Sequence, residues 1–348
     1  MNRRNRVSSK RRLTKQQQAR IARHNQQRLD TSKQESSGDD DIYLAAEPGL
    51  ILSRFGKHAD VEAADGSVIR CNLRRTLNSV VTGDRVAFRR VRQSQGSVDG
   101  IIDAVAERDS VLLRPDFYDG LKPVAANIDR IVVVSAVLPE FSAQIIDRYL
   151  VAAEVTGIPP VLVLNKTDLL SDEQRHALQQ QLELYSKLGY ATLWLSAKRG
   201  EGMSALLQLL QEGTSILVGQ SGVGKSSIMN AILPELALST QQVSDVSGLG
   251  QHTTTASRLY HLPAGGQLID SPGIREFGLW HFSPEQVTAG FVEFQPFLGR
   301  CKFRDCKHLK DPGCAILQAV TDGDISKQRY QSYLRILTSM AEDKPNHF

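Results

Sequence analysis

The sequence has no long apolar run. None of its segments approaches the roughly 18 consecutive apolar residues that a membrane-spanning helix needs, which argues against a helical membrane protein. The N-terminus is basic but lacks the ~7–15-residue apolar stretch of a secretion signal, so a cytoplasmic protein is expected. Cysteine is scarce: there are four, three of them within residues 301–314. That count argues against a disulfide-stapled fold, and the clustering points to a metal. Acid is nearly missing from the first 33 positions, where Asp30 stands against eleven Lys and Arg. This segment carries +10, and the whole-chain charge of +4 leaves the remainder at −6.

The basic segment cannot bury enough apolar surface to fold alone. With the polar linker 34–41 it reads as a disordered arm, residues 1–41, suited to neutralising nucleic-acid phosphates. The rest is globular in composition and long enough for two or three domains. Over residues 42–113 the runs are short, alternating and punctuated by turns. Ile69, Cys71 and Leu73 fall on one face of a strand, with Arg70 and Asn72 on the other. Asp65-Gly66 and Gly83-Asp84 are turn signals. Four or five strands in this length fit a small closed barrel, usually an OB-fold, although pattern alone leaves an SH3-like barrel open. Cys71 reads as a core residue.

From residue 128 the pattern changes to α/β. Ile131–Val134 and Val161–Leu164 are continuous apolar runs of the kind buried on both faces of a parallel sheet. Helical spacing lies between them. The expected domain spans 114–283 and is mostly parallel, with helices on both faces. Gly219-Gln220-Ser221-Gly222-Val223-Gly224-Lys225-Ser226 matches the phosphate-loop pattern, placed after a strand and opening a helix that continues with Ser227. Such a loop wraps phosphates with backbone N–H groups at a helix N-terminus. Lys225 reaches the β- and γ-phosphates, and the Ser226 hydroxyl serves Mg²⁺. Asp270, at a strand end, is a second Mg²⁺ partner, and Gly273 offers its N–H to the γ-phosphate. Among Thr253, Thr254 and Thr255, Thr254 is favoured as the third magnesium group.

Asn165-Lys166-Thr167-Asp168 follows the strand Val161–Leu164. A carboxylate at Asp168 accepts from the two donors that guanine has and adenine lacks, so adenine would leave it unpaired. Asn165 braces the loop, and Lys166 packs along the base. Ser196-Ala197-Lys198, after the next strand, offers a backbone N–H to guanine O6. The chemistry is therefore GTP binding, with the base motif upstream of the phosphate loop. Ordinary GTPases have the reverse order, so the domain reads as circularly permuted.

Cys301, Cys306, His308 and Cys314 supply three thiolates and one imidazole, a set suited to structural tetrahedral Zn²⁺. They lie in a small, mostly helical C-terminal domain, residues 284–348. Lys302, Arg304, Lys307 and Lys310 are interleaved with them, which suggests contact with an RNA backbone.

Together these motifs, in this order over residues 42–340, resemble the ribosome small-subunit-dependent circularly permuted GTPases of the RsgA/YjeQ type. The resemblance implies a multidomain fold: an all-β OB-fold barrel, a circularly permuted α/β P-loop GTPase and a zinc-binding domain. It implies slow GTP hydrolysis stimulated by the small ribosomal subunit, and a role in that subunit's late maturation. The partners would be the subunit, its rRNA and other assembly factors. The lack of long apolar runs leaves no membrane partner expected, and a monomer is the default expectation. Ile274 follows Asp270-Ser271-Pro272-Gly273 where many GTPases place a Gln. His252, in the segment Gly250–Thr255, is the catalytic candidate in its place, able to orient or deprotonate water near neutral pH.

Overall fold

The computed structural model describes residues 42–75, 77, 79–93, 98–116, 120–235, 257–271, 279 and 282–342. The described residues form two compact units. The first runs to Val80 and resumes over Asp84–Glu107. It holds β1 (Glu47–Phe55), β2 (His58–Ala63), β3 (Val68–Leu73), β4 (Arg85–Arg90) and β5 (Gly100–Val105). β1 pairs with β2 and β2 with β3, all antiparallel. β3 pairs in parallel with β5, β5 with β4, and β4 returns to β1. The ring closes in the order 1-2-3-5-4-1, which is the OB-fold and settles the choice of barrel. Alternation puts Ile51, Val61, Cys71, Phe88 and Ile102 inside. Cys71 is fully buried, and burial pushes its thiol up to about 12. It is a core residue, as expected.

The second unit comprises Val81–Gly83 and everything from Arg108. It opens with a hairpin, β6 (Val111–Asp116) and β7 (Gly120–Ala126), that forms its own two-stranded sheet. The main sheet contains β8 (Arg130–Ala136), β9 (Pro160–Asn165), β10 (Ala191–Trp194), β11 (Thr214–Val218), β12 (Arg258–His261) and β13 (Gln267–Asp270). Their order is β10-β9-β8-β11-β13-β12. All pairs are parallel except β12 with β13. β11 is buried along its whole length, as expected of a central strand. The helices here are α1 (Ala143–Thr156), α2 (Asp172–Lys187), α3 (Met203–Leu210) and α4 (Lys225–Ile232). α2 starts at Ser171 in a capping box with Gln174.

No strand follows Asp270 among the described residues. α5 (Pro284–Ala289), the 3-10 helix Val292–Phe297, α6 (Ala315–Asp322) and α7 (Lys327–Glu342) form the C-terminal region. Phe291 stacks on Phe294, and both meet Tyr333 edge-on. This region belongs to the same compact unit as the sheet, because α7 and α5 pack on α1. No described helix is long and apolar enough to cross a membrane.

Candidate nucleotide site and metal cluster

The phosphate loop joins β11 to α4. Gly219, Gly222 and Gly224 take φ of 145°, 80° and 95°, where a side chain is strained. At Gly219 a Cβ would strike the Val134 carbonyl, and at Gly224 it would strike Asn165 Nδ2. The sequence needs glycine at these points because neighbouring strand ends press against the loop. Val223, between them, is buried and anchors the loop in the core. Lys225 Nζ donates to the carbonyls of Gly219 and Gln220, each at 2.6 Å. Ser226 and Ser227 lie exposed at the start of α4.

The base-motif loop is bonded directly to this phosphate loop. Asn165 is buried, and its Nδ2 donates to Val223 O at 2.9 Å. Its Oδ1 accepts from the Ala197 N–H at 3.1 Å. One amide thus joins three loops that lie far apart in the chain. Lys166 sits at φ 64° and donates to Leu138 O and Gly222 O, each at 2.6 Å. Thr167 is buried and starts a short 3-10 turn through Leu169. Ser196 Oγ donates to Asp168 Oδ1 at 2.6 Å and accepts from the Arg199 N–H at 3.2 Å. The Ser196 bond holds the Asp168 carboxylate below its usual range, so it stays ionised at neutral pH.

Asp270 ends β13 beside Leu217 of β11. Burial pushes its carboxyl above the ordinary carboxylate range, and the Lys225 ammonium opposes that shift. Ser271 Oγ lies 2.7 Å from Ser257 Oγ. His252, Thr254 with its neighbours Thr253 and Thr255, and Gly273 lie outside the described residues.

The second cluster is Cys301, Cys306, His308 and Cys314, a Cys₃His metal-binding set whose ligand atoms all lie within 4.8 Å of one another. His308 Nδ1 is 3.5 Å from Cys301 Sγ, 3.5 Å from Cys306 Sγ and 3.4 Å from Cys314 Sγ. Cys301 Sγ is 3.9 Å from Cys314 Sγ. Cys314 caps α6. The Leu317 N–H donates to its sulfur at 3.5 Å, and the Ala315 N–H donates to Cys301 Sγ at 3.3 Å. Burial holds His308 below its ordinary value, which keeps the imidazole neutral and able to ligate.

The loops described lie at the C-terminal ends of β9, β10, β11 and β13, where an open α/β sheet takes its ligand. These strands share one sheet although the base-recognition strands precede the phosphate-loop strand in the chain. Fold and site together define a circularly permuted P-loop GTPase. Residues 105–280 match the family model of the RsgA GTPase. The small ribosomal subunit biogenesis GTPase RsgA of Histophilus somni (strain 2336) is 57% identical over 345 residues, covering 98% of this chain and 99% of its own. Its namesake in Proteus mirabilis (strain HI4320) is 56% identical over 342 residues, 97% of each chain. The crystal structure of YjeQ from Thermotoga maritima aligns with a TM-score of 0.68 at 32% identity, covering 85% of this chain and 99% of that one. YloQ, described as a circularly permuted GTPase, aligns with a TM-score of 0.66 at 28% identity, covering 90% and 100%. The chain belongs to the RsgA GTPase family and is a GTP hydrolase.

Two features of the molecule are invisible to motif reading. One of the two acceptors for Lys166 is a backbone carbonyl, that of Leu138, in a loop without a motif. The second is a buried node outside the pocket. Arg329 Nη1 donates to Asp147 Oδ1 at 2.6 Å, and its Nε and Nη2 donate to Glu293 at 2.6 and 3.1 Å. An Asp within α1 and an Arg in the first turn of α7, 182 positions apart, carry no sequence signal of each other.

Proposed function

We propose that this chain is a late maturation factor of the small ribosomal subunit, bound in its GTP form and released after hydrolysis that the subunit stimulates. The observation that carries the nucleotide part is the direct bonding of Asn165 and Lys166 to the phosphate loop. It makes one pocket of motifs that are separate in the chain. In this reading Asp168 recognises guanine, braced by Ser196. Asn165, Lys166 and Thr167 shape the base loop, and the segment Ser196-Ala197-Lys198 serves O6. Residues Gly219–Ser227 hold the phosphates, with Lys225 placed against the charge that develops in phosphoryl transfer. The exposed Ser226 hydroxyl and the Asp270 carboxylate at the same corner suit Mg²⁺, with Thr254 as a third group. Bound Mg²⁺ would neutralise phosphate charge. Gly273 would meet the γ-phosphate, and His252 would orient the attacking water in place of the Gln that Ile274 replaces.

The Cys₃His set fits Zn²⁺. Ligation at ~2.3 Å to sulfur and ~2.0–2.1 Å to nitrogen gives tetrahedral edges of roughly 3.8 Å between sulfurs and roughly 3.5 Å from sulfur to nitrogen. The observed 3.9 Å between sulfurs and 3.4–3.5 Å from sulfur to nitrogen lie close to these edges. The role of zinc is structural, since all four positions are filled by the protein. Small-subunit maturation is proposed from the relatives above, which are small ribosomal subunit biogenesis GTPases. The rRNA contacts would come from the OB-fold (42–113), the zinc-binding domain (284–348) and the basic arm (1–41), with the GTPase (114–283) as the switch. Such a factor works in the cytoplasm, as a monomer, beside other assembly factors. GTP turnover measured with and without purified small subunits tests the proposal. Strong stimulation supports it, and turnover indifferent to subunits rejects it. His252→Ala should abolish the stimulated turnover while GTP affinity stays intact.

A further inference from the structure

We propose that Arg329 is a positioning residue for guanine recognition: it ties the C-terminal metal module to the two helices flanking the base loop. The module would then set nucleotide affinity from the base side of the pocket. The inference rests on GTP binding at the loops described above.

Arg329 is fully buried on α7. Its guanidinium faces Asp147 of α1 and Glu293 of the 3-10 helix, and lies 4.5 Å from the Phe291 ring centroid and 5.8 Å from that of Tyr185. Tyr185 of α2 donates to the same Asp147 Oδ1 at 2.8 Å. One carboxylate oxygen therefore joins α1, α2 and α7. Both GTPase helices lead from this node to the base loop. α1 begins at Ala143, just after the loop whose Leu138 carbonyl accepts from Lys166 Nζ. α2 begins after Ser171, three positions beyond Asp168. On α7 the next residue, Tyr330, donates to His308 O at 2.8 Å and Leu309 O at 3.3 Å. Adjacent side chains of one helix thus hold the metal loop and the GTPase helices.

The choice of residues argues for positioning over plain stability. An apolar cluster of similar volume would hold three helices together as well as a buried ion triad, or better. A bidentate guanidinium adds direction: it accepts few arrangements of its carboxylates. The node therefore fixes the angle of α1 and α2, and with it the placement of Lys166 and Asp168. Contacts to the base are common to GTP and GDP. A change passing through this node should alter both affinities by one factor and blur the recognition of the guanine amine.

The test uses the full chain with Arg329→Lys, which keeps the charge but loses the fork, and Tyr330→Phe, which frees the metal loop and leaves Arg329 alone. Equilibrium binding of fluorescent GDP and GTP is measured, with inosine triphosphate, which lacks the amine, as competitor. Circular dichroism and thermal melting confirm the fold. For Arg329→Lys, GDP and GTP should weaken together by roughly 5-fold or more, the lower end of ordinary site-to-site coupling. The preference for GTP over inosine triphosphate should narrow, and Tyr330→Phe should shift the same quantities in the same direction. A folded Arg329→Lys protein within twofold of wild type in all three overturns the inference. So does a loss confined to GTP, which would place the route at the γ-phosphate. If Arg329→Lys does not fold, Tyr330→Phe decides by the same criteria. Failure of the wild-type chain to bind guanine nucleotides would overturn the underlying reading instead.

Discussion

Truncating Asn165 to Ala should cost the pocket its brace. Asn165 is 1% exposed and bonds Val223 O at 2.9 Å and the Ala197 N–H at 3.1 Å. The truncation removes two neutral hydrogen bonds worth about 1 kcal/mol each. It also leaves the Val223 carbonyl, on a residue 3% exposed, without this partner, for about 1 kcal/mol more. The three loops then lose about 3 kcal/mol of mutual order that bound nucleotide must restore, so affinity should fall roughly 150-fold. Titration of fluorescent GDP into the folded variant measures this directly. Asn165→Asp is the informative partner. It keeps the acceptor for Ala197 but turns a carboxylate oxygen toward the Val223 carbonyl, so it should bind at least as weakly as Asn165→Ala. A folded Asn165→Ala protein within fivefold of wild type would refute the argument that this amide organises the pocket.

Two further outcomes follow from the same geometry. Gly224→Ala forces a side chain into φ 95° and against Asn165 Nδ2, which costs about 1–2 kcal/mol of strain and the Val223 bond besides. GDP binding should weaken roughly 30-fold, and a double-mutant cycle with Asn165→Ala should show strong non-additivity because both changes spoil one contact. Cys306→Ser should lower bound zinc from one equivalent to none by elemental analysis. It should also expose residues 301–322 to protease, since metal binding is folding energy in so small a loop; stoichiometric zinc in the variant would remove Cys306 from the ligand set.

Much of this molecule was legible in advance because its strongest constraints are local. The strand with Ile69, Cys71 and Leu73 on one face and the strands at 131–134 and 161–164 follow from alternation or continuous apolar runs, and they appear as β3, β8 and β9. The phosphate loop was legible because its glycines answer to backbone angles that few other residues adopt. The β6–β7 hairpin was not foreseen: Pro115 and the polar residues around it dilute the alternation that marks a strand. The first compact unit ends at Glu107, and a sequence pattern has no term for which strand stays with which core. The Arg329 node escaped for another reason. Its members are ordinary helix residues, and their meaning arises only when α1, α2 and α7 meet.

The permutation can be located physically. The link that replaces the ordinary chain order runs from β10 through α3 to β11. It is fastened at the N-terminal edge of the sheet. Arg130 Nη1 donates to Leu209 O at 2.7 Å, and Asp129 Oδ2 accepts from the Thr214 N–H at 2.7 Å. On the other side, the Gln267 N–H donates to Gly213 O at 2.9 Å, and a Cβ at Gly266 would strike Leu210 O. The link is thus wedged between the starts of β8 and β13, while the nucleotide loops stand at the opposite edge, where ligands bind to parallel sheets. Rejoining the chain at the rear leaves the pocket's geometry alone, which is why permutation is tolerated. It does change where the chain enters and leaves. The chain enters β8 at the rear edge and leaves β13 at Asp270, on the pocket face, on its way to the metal module. That module follows Asp270 in the chain and touches the GTPase helices at the Arg329 node. An unpermuted chain, with its exit elsewhere, would lose the covalent link from Asp270 and keep only the node.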